Sequence, residues 1–314
     1  MLSYIFKRIG MAIPTVIIVA LLVFGMIRAI PGDPAVLMLG DIDDPGLLRE
    51  MRHSLGLDRS IVEQFLLWAS RLLHGDFGTS IARHQPVLDL IRDAFPVTAQ
   101  IVLAATVLAC VVAIPAGLYA AWCQNRRGDI LVVFTAILLV SMPGFWVGIL
   151  LIWLFGVKLQ WLPTFGFETF SEAGWGTVKY LILPVIAVVL SEIAAVTRMM
   201  RATSIDVLRL EYVSHARAKG LSERRVLMRH TLPNAFGPTL TVIGLILGHL
   251  LAGGAVIETV FTLPGMGRLL VESIYARDYP VVQGCLLLIA LIYVFVNLCV
   301  DLLYPIFDPR VKLS

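Results

Sequence analysis

The chain predicts an all-α polytopic membrane protein, with six transmembrane helices and a small extracytoplasmic subdomain between the first and the second. Three observations carry this prediction. The 314 residues are 58% hydrophobic and 15% charged, with a mean hydropathy of +0.86, whereas a soluble domain averages about 25% charged residues. Apolar runs of about 20 residues recur, each long enough to cross about 30 Å of hydrocarbon. The period-2 alternation of a membrane β-barrel is absent.

The spans fall at 9–30, 97–122, 130–156, 180–200, 236–260 and 283–306. Lys7 and Arg8 precede the first, as they would a signal peptide. That run is too long for an ordinary secretory apolar region, however, and no small-x-small cleavage site follows it, so it is read as a membrane helix. Pro14, Pro115, Pro143 and Pro184 lie inside spans, where neighbouring helices or water can satisfy the freed backbone groups. Gly144 and Gly148, and Gly244 and Gly248, have GxxxG spacing, which serves either close helix packing or the lining of a pathway.

Residues 31–95 are too many for a connector and form the expected subdomain. They open with Pro31-Gly-Asp-Pro34, a strong turn signal. Ile61, Val62, Phe65, Leu66, Ala69, Leu72 and Leu73 recur at helical spacing, which marks an amphipathic helix that packs on the bundle or meets a partner. The expected organisation is therefore 1–30 (N-terminus and first span), 31–95 (subdomain) and 96–314 (a five-span core).

Positive residues orient the spans. Lys7, Arg8, Arg126, Arg127, Arg198, Arg201, Arg209, Arg217, Lys219, Arg224, Arg225, Arg229, Arg310 and Lys312 share one side. Only Lys158, Lys179, Arg268 and Arg277 lie in the short loops of the other, fourteen against four. Both termini and the loop 204–233 are thus expected in the cytoplasm of a multi-pass protein. The net charge of +3 bears on topology and gives no reason to expect nucleic acid.

Enzyme chemistry finds little support. There is no GxxxxGK[ST] loop, no HExxH and no GxSxG, so P-loop nucleotide binding, zinc hydrolysis and a serine elbow are not expected. The six histidines show no metal-ligand spacing, and Cys110, Cys123, Cys285 and Cys299 form no CxxC pair; they read as small buried hydrophobes. Ionisable groups inside spans are costly and need partners. Glu192 and His249 are the candidates for lining a pathway, each with a plain buried hydrogen bond as the alternative. Asp301, one turn after Asn297, and Arg28 lie near span ends and can snorkel to the interface.

The most patterned polar stretch is Glu211 to Pro233, basic and helix-compatible, interrupted at Gly220 and at Leu232-Pro233. A glycine there lets two short helices meet at an angle, and the proline is expected to end the segment before the next span. Its length and charge suit a docking surface for a soluble partner. The plainer reading is a basic loop held at lipid headgroups.

These features together resemble the integral-membrane permease subunits of bacterial ATP-binding-cassette importers, in the dipeptide, oligopeptide and nickel group. The resemblance covers essentially the whole chain and rests on the order of many short motifs: Pro31-Gly-Asp-Pro34, Leu55-Gly-Leu-Asp58, Gly75-Asp-Phe-Gly78, Ser141-Met-Pro143, Trp161-Leu-Pro163, Ile182-Leu-Pro184, Ala216-Arg-Ala-Lys-Gly220, Leu232-Pro-Asn234, Pro264-Gly-Met-Gly267, Arg277-Asp-Tyr-Pro280 and Val300-Asp-Leu-Leu-Tyr304. The cytoplasmic loop resembles the family's EAA loop. Gly220 and Leu232-Pro233 fit that pattern, while the Glu-Ala-Ala positions read Ser214-His215-Ala216, where only the last alanine matches.

The resemblance implies the type I permease fold of such importers and a place in the bacterial inner membrane. It implies a second, homologous permease subunit, two cytoplasmic ATP-binding subunits that use ATP and magnesium, and an extracytoplasmic solute-binding protein. No cofactor or catalytic residue would belong to this chain. Glu211, Tyr212, Ala216, Arg217, Ala218, Lys219, Gly220, Leu221, Leu232 and Pro233 are the implied ATPase-coupling residues. The implied cargo is short peptides, with nickel complexes, glutathione or opine-like solutes as alternatives. The rival of another class is a membrane scaffold or receptor that recruits a soluble partner without transport.

Overall fold

The computed structural model describes residues 2–29, 36, 44–54 and 57–307. The Pro31–Pro34 turn, Leu55-Gly56 of the second motif, Arg310 and Lys312 lie outside them. Helices account for nearly all regular structure; among the described residues the only β pairing is an isolated bridge between Thr79 and Pro86.

α1 (Leu2–Ala29) runs against the last helix and is tied to it by Arg8 and Asp301 at 2.9 Å. α2 (Pro45–Ser54) and α3 (Ile61–Leu73) belong to the segment before the core. α3 starts where Ser60 and Glu63 form a reciprocal capping box at 3.3 and 3.1 Å, which satisfies two of the helix's orphan donors. Its expected apolar stripe is used only in part. Phe65 meets Phe24 of α1 edge-on at 5.5 Å and Trp68 lies tilted against it at 5.6 Å, while Ile61, Val62, Leu66 and Leu73 are exposed.

α4 (Val87–Trp122) has 36 residues, about 54 Å at the α-helical rise, so it crosses the hydrocarbon and protrudes. Its Ile101, Ala105, Ala109 and Ala113 are buried at four-residue spacing and cluster with Ala187 and Val188 of α7 (Val178–Leu208). Small residues let two membrane helices approach closely. At Gly117 the approach leaves no room for a side chain: a Cβ there would sit 2.7 Å from the Met200 Cβ and 2.8 Å from the Thr197 carbonyl.

The third span departs from expectation. The sequence predicts one helix over 130–156; the structure has α5 (Arg127–Val140) and α6 (Gly144–Leu151), the latter continued by a π-helix to Lys158, with a bend of 90° between the two halves. The break falls at Ser141-Met-Pro143. Pro143 offers no N–H to a preceding carbonyl, and the Ser141 hydroxyl donates to the Ile137 carbonyl at 2.8 Å in competition with the helix. Among the described residues five other helices are long and apolar enough to cross a membrane, six spans if the bent pair counts as one.

After α7 come α8 (Glu211–Ala218), α9 (Glu223–Val226), a π-helical stretch Leu227–Thr231 and α10 (Leu232–Gly253). α11 (Ala255–Val260), α12 (Met266–Tyr275) and α13 (Tyr279–Phe307) complete the chain. Both GxxxG pairs lie at helix contacts. A Cβ at Gly144 would be 3.3 Å from Ser191, at Gly148 3.0 Å from Phe261 and at Gly244 2.5 Å from Val300, and at Gly248 it would strike the Tyr293 ring. All four glycines thus sit at close helix contacts, and Gly248 also lines a cavity described below. The four cysteines are unpaired, with Cys285 buried.

Three apolar clusters stack along the bundle. One lies mid-bundle between α4, α7 and α10. One joins Val87 and Ile91 to Met266, Leu269 and Val281 at one end. The third lies at the opposite end, which also carries the Arg8–Asp301 pair and the loop after α7, and is called the basic end below.

Candidate functional site

The loop at the basic end is a folded surface. α8 presents Val213, fully buried, and Ala216, 7% exposed, to a socket made by Leu118 of α4, Met200 and Val207 of α7, Val226 of α9 and Ala235 of α10. Its opposite side carries Glu211, Tyr212, Ser214, His215, Arg217, Ala218 and Lys219, all exposed. One three-residue step, Val213 to Ala216, anchors the helix; the remaining positions are exposed and, Ala218 apart, polar or amphipathic.

Gly220 ends α8 in the left-handed conformation, φ +80°. Its N–H donates to the Arg217 carbonyl at 2.9 Å, and the Leu221 N–H donates to the Ala216 carbonyl at 3.3 Å. This pair of bonds is the Schellman arrangement, completed as usual by an apolar contact of the following residue, here half-buried Leu221 against the socket. Nothing lies within 4 Å of a Cβ built at Gly220, so glycine is required by the backbone angle and not by space. Across the elbow, Arg217 donates to both carboxylate oxygens of Glu223 at 2.8 and 3.2 Å.

At Pro233 the structure corrects the expected break. The helix that begins at Glu223 runs through the π-helical stretch into α10, with Pro233 in the first turn of α10. A proline cannot donate to the carbonyl four residues back and its ring crowds that carbonyl; the wider π turn just before it relieves the conflict. The nearby His230 carbonyl accepts from Asn234 at 2.8 Å and from the Tyr212 hydroxyl at 3.4 Å. Leu232 is half-buried beside the socket, and Pro233 is exposed.

Glu192 does not line the cavity that His249 lines. His249 lines a cavity of about 840 Å³ between α1, α10 and α13, with Asn297 and the Arg8–Asp301 pair also on its wall. Glu192 is half-buried on α7, outside that lining, within electrostatic reach of His249. It makes no hydrogen bond or ion pair among the described residues. The Arg28 guanidinium sits 5.2 Å over the Phe24 ring.

Three further polar centres are not anticipated in the sequence. Asp129 accepts from Arg201 at 2.6 and 2.7 Å and from the Asn125 N–H at 2.9 Å, joining the turn after α4 to the end of α7. Asp278 accepts from the Ser80 hydroxyl and from the N–H groups of Ile81 and Ala82 at 3.1 and 3.2 Å, fixing the segment before α4 to the turn before α13. Glu258, 2% exposed, accepts from Thr98 at 2.6 Å and from the Arg268 N–H at 2.9 Å. It caps the N-terminus of α12, where a carboxylate is favoured. That contact explains the Pro264-Gly-Met-Gly267 motif. A Cβ at Gly265 would strike the Glu258 carboxylate, and one at Gly267 would meet the Ala255 backbone at 2.5 Å. The criterion that singles out Glu192, a carboxylate in an apolar run, also points to Glu258. Asp129 and Asp278 carry no such signal, because their partners are 72 and about 197 residues away.

Among the described residues no cluster of histidine, cysteine and carboxylates could hold a metal ion. The arrangement offers a helix with a polar outer face seated on a helical bundle.

Comparison with known proteins gives a consistent result. A family model described as binding-protein-dependent transport system inner membrane component matches residues 113–313, and the corresponding N-terminal model matches residues 1–102. A Brucella abortus (strain 2308) protein named as a peptide transport system permease is 42% identical over 312 residues, 99% of each chain. The glutathione transport system permease protein GsiC of Escherichia coli (strain K12) is 40% identical over 312 residues, again 99% of each. A chain from inward-facing structures of the MetNI methionine ABC transporter has a TM-score of 0.58 at 14% identity, covering 70% of this chain and 96% of that one, which speaks to the fold. The chain therefore belongs to the family of binding-protein-dependent transport system inner membrane components, the permease subunits of ATP-driven importers.

Proposed function

We propose that this permease subunit carries short peptides, and that α8 is the lever by which separate ATPase subunits drive it. The basic end then faces the cytoplasm with both termini. A second, similar permease completes the pathway, two ATP-binding subunits dock beneath, and an extracytoplasmic solute-binding protein delivers the cargo. The observation that carries the reading is the seat of α8. Its inner face is held by the ends of α4, α7 and α10 at once, so a push on its polar outer face reaches three spans as one body. Such rigid-body motion between inward- and outward-open states is how a packed bundle converts a local push into alternating access.

Glu192 is proposed as a pathway residue. A half-buried carboxylate without a hydrogen-bonding partner in the protein is costly to keep, and a passing ammonium group or water would satisfy it. Peptide cargo draws support from the named transport role of the Brucella relative, and the name of the E. coli relative keeps glutathione as the alternative. Vesicles containing the permeases, ATPases and binding protein should take up labelled di- and tripeptides only with ATP. Uptake of nickel complexes, glutathione or opine-like solutes in place of ordinary peptides would redirect the substrate reading alone. No ATP-dependent uptake of any solute would favour a non-transporting scaffold.

A further inference from the structure

We propose that a groove at the basic end, between α4 and the helical stretch after the elbow, binds one anionic phospholipid. The groove has a volume of about 620 Å³. Cys110, Val111, Ile114, Pro115 and Leu118 of α4 form its floor, and Leu227, Met228 and Leu232 its other wall. From Cys110 to Trp122 the floor extends about 18 Å along α4 at the α-helical rise, from the membrane boundary toward the bilayer centre. Val111 and Met228 are 63% and 56% exposed. An apolar trough of that depth, open on the face of a spanning helix, fits an acyl chain.

The mouth selects the headgroup. Trp122 and Tyr119 lie there with ring centroids 6.1 Å apart, and such aromatics favour the headgroup level. Two charged residues border the groove, Glu223 and Arg224. Glu223 is occupied by Arg217 in the two-pronged ion pair. The Arg224 guanidinium makes no ion pair or hydrogen bond among the described residues, and exposed Arg225 and Arg229 nearby make no ion pair there either. The local charge is therefore net positive over an apolar trough, which matches a phosphodiester with an uncompensated negative charge better than a zwitterionic headgroup. Leu118 and Leu232 of the groove also belong to or pack on the socket under α8, so the lipid and the lever share a wall.

The test uses the full chain in phosphatidylcholine vesicles, with rising fractions of brominated phosphatidylglycerol or brominated phosphatidylcholine. Bromine quenches tryptophan on contact. The difference between the chain and its Trp122→Phe variant isolates one of the six tryptophans. Half-maximal quenching of Trp122 is expected at an about fivefold lower mole fraction of the anionic lipid, the factor one interfacial arginine supplies. Arg224→Gln should remove that preference and Arg224→Lys should keep it. Identical curves for the two lipids would overturn the proposal, as would a preference that survives Arg224→Gln. So would absence of quenching by either lipid, which would mean that no acyl chain enters the groove. None of these readings depends on the solute carried or on the ATPases.

Discussion

Replacing Gly220 tests the lever directly. The residue holds φ +80° with open space around it, so a new side chain meets no atom and the cost is confined to the backbone. A left-handed conformation costs a non-glycine L-residue about 1–2 kcal/mol. That corresponds to an about 5- to 30-fold rise in elbows that have left the Schellman geometry. Asparagine visits this conformation more readily than alanine, and a β-branched residue less. The expected order of solute moved per ATP hydrolysed is therefore glycine, asparagine, alanine, valine. All four chains should insert equally, because the elbow lies outside the spans. The assay is paired uptake and phosphate release in vesicles, with amide hydrogen exchange at Leu221 reporting the elbow itself. If Gly220→Val matched the parent in solute per ATP while Leu221 exchanged faster, the elbow would not transmit work. If Leu221 protection were unchanged, the backbone argument would be wrong.

Other substitutions probe the rest of the frame. Gly265→Ala drives a methyl into the Glu258 carboxylate; a loss of about 1–3 kcal/mol, typical of overpacking, should lower the melting temperature in detergent, and an unchanged one would deny Glu258 its capping role. Asp129→Asn leaves the Arg201 guanidinium without its carboxylate and should cost about 3 kcal/mol. Asp129→Asn combined with Arg201→Met should recover much of that, and strict additivity would contradict the pairing. Val213→Ala removes two methyl groups from a fully buried position and should loosen α8 by about 2 kcal/mol, seen as reduced cross-linking of a cysteine at position 218 to the ATPase. Glu192→Gln should change transport kinetics with little effect on melting temperature; a stability loss with normal transport would assign Glu192 to the frame.

Much of this molecule is legible in the chain. Apolar runs of spanning length mark the helices that cross the membrane, because hydrocarbon admits no unsatisfied backbone and the requirement is local. The amphipathic stretch at Ile61–Leu73 and the glycine elbow at Gly220 are legible for the same reason: helical period and left-handed backbone are properties of neighbouring residues. The bend at Ser141-Met-Pro143 was less so. A proline inside a span is compatible with a kink or a full break, and the choice between them depends on what packs around it. The continuity of the helix through Pro233 is of this kind too, since a π turn upstream accommodates the ring.

The sequence alone determined the class of the protein, most of its spans and the place of the glycine elbow, since each follows from local composition or from motif order along the chain. Tertiary structure decided which carboxylates are structural. Glu258 meets Thr98 at a separation of 160 residues, Asp129 meets Arg201 at 72, and Asp278 holds a segment from the other end of the chain. It also decided that Val213 and Ala216 face inward, because a socket built from three separate spans exists only once those spans have packed.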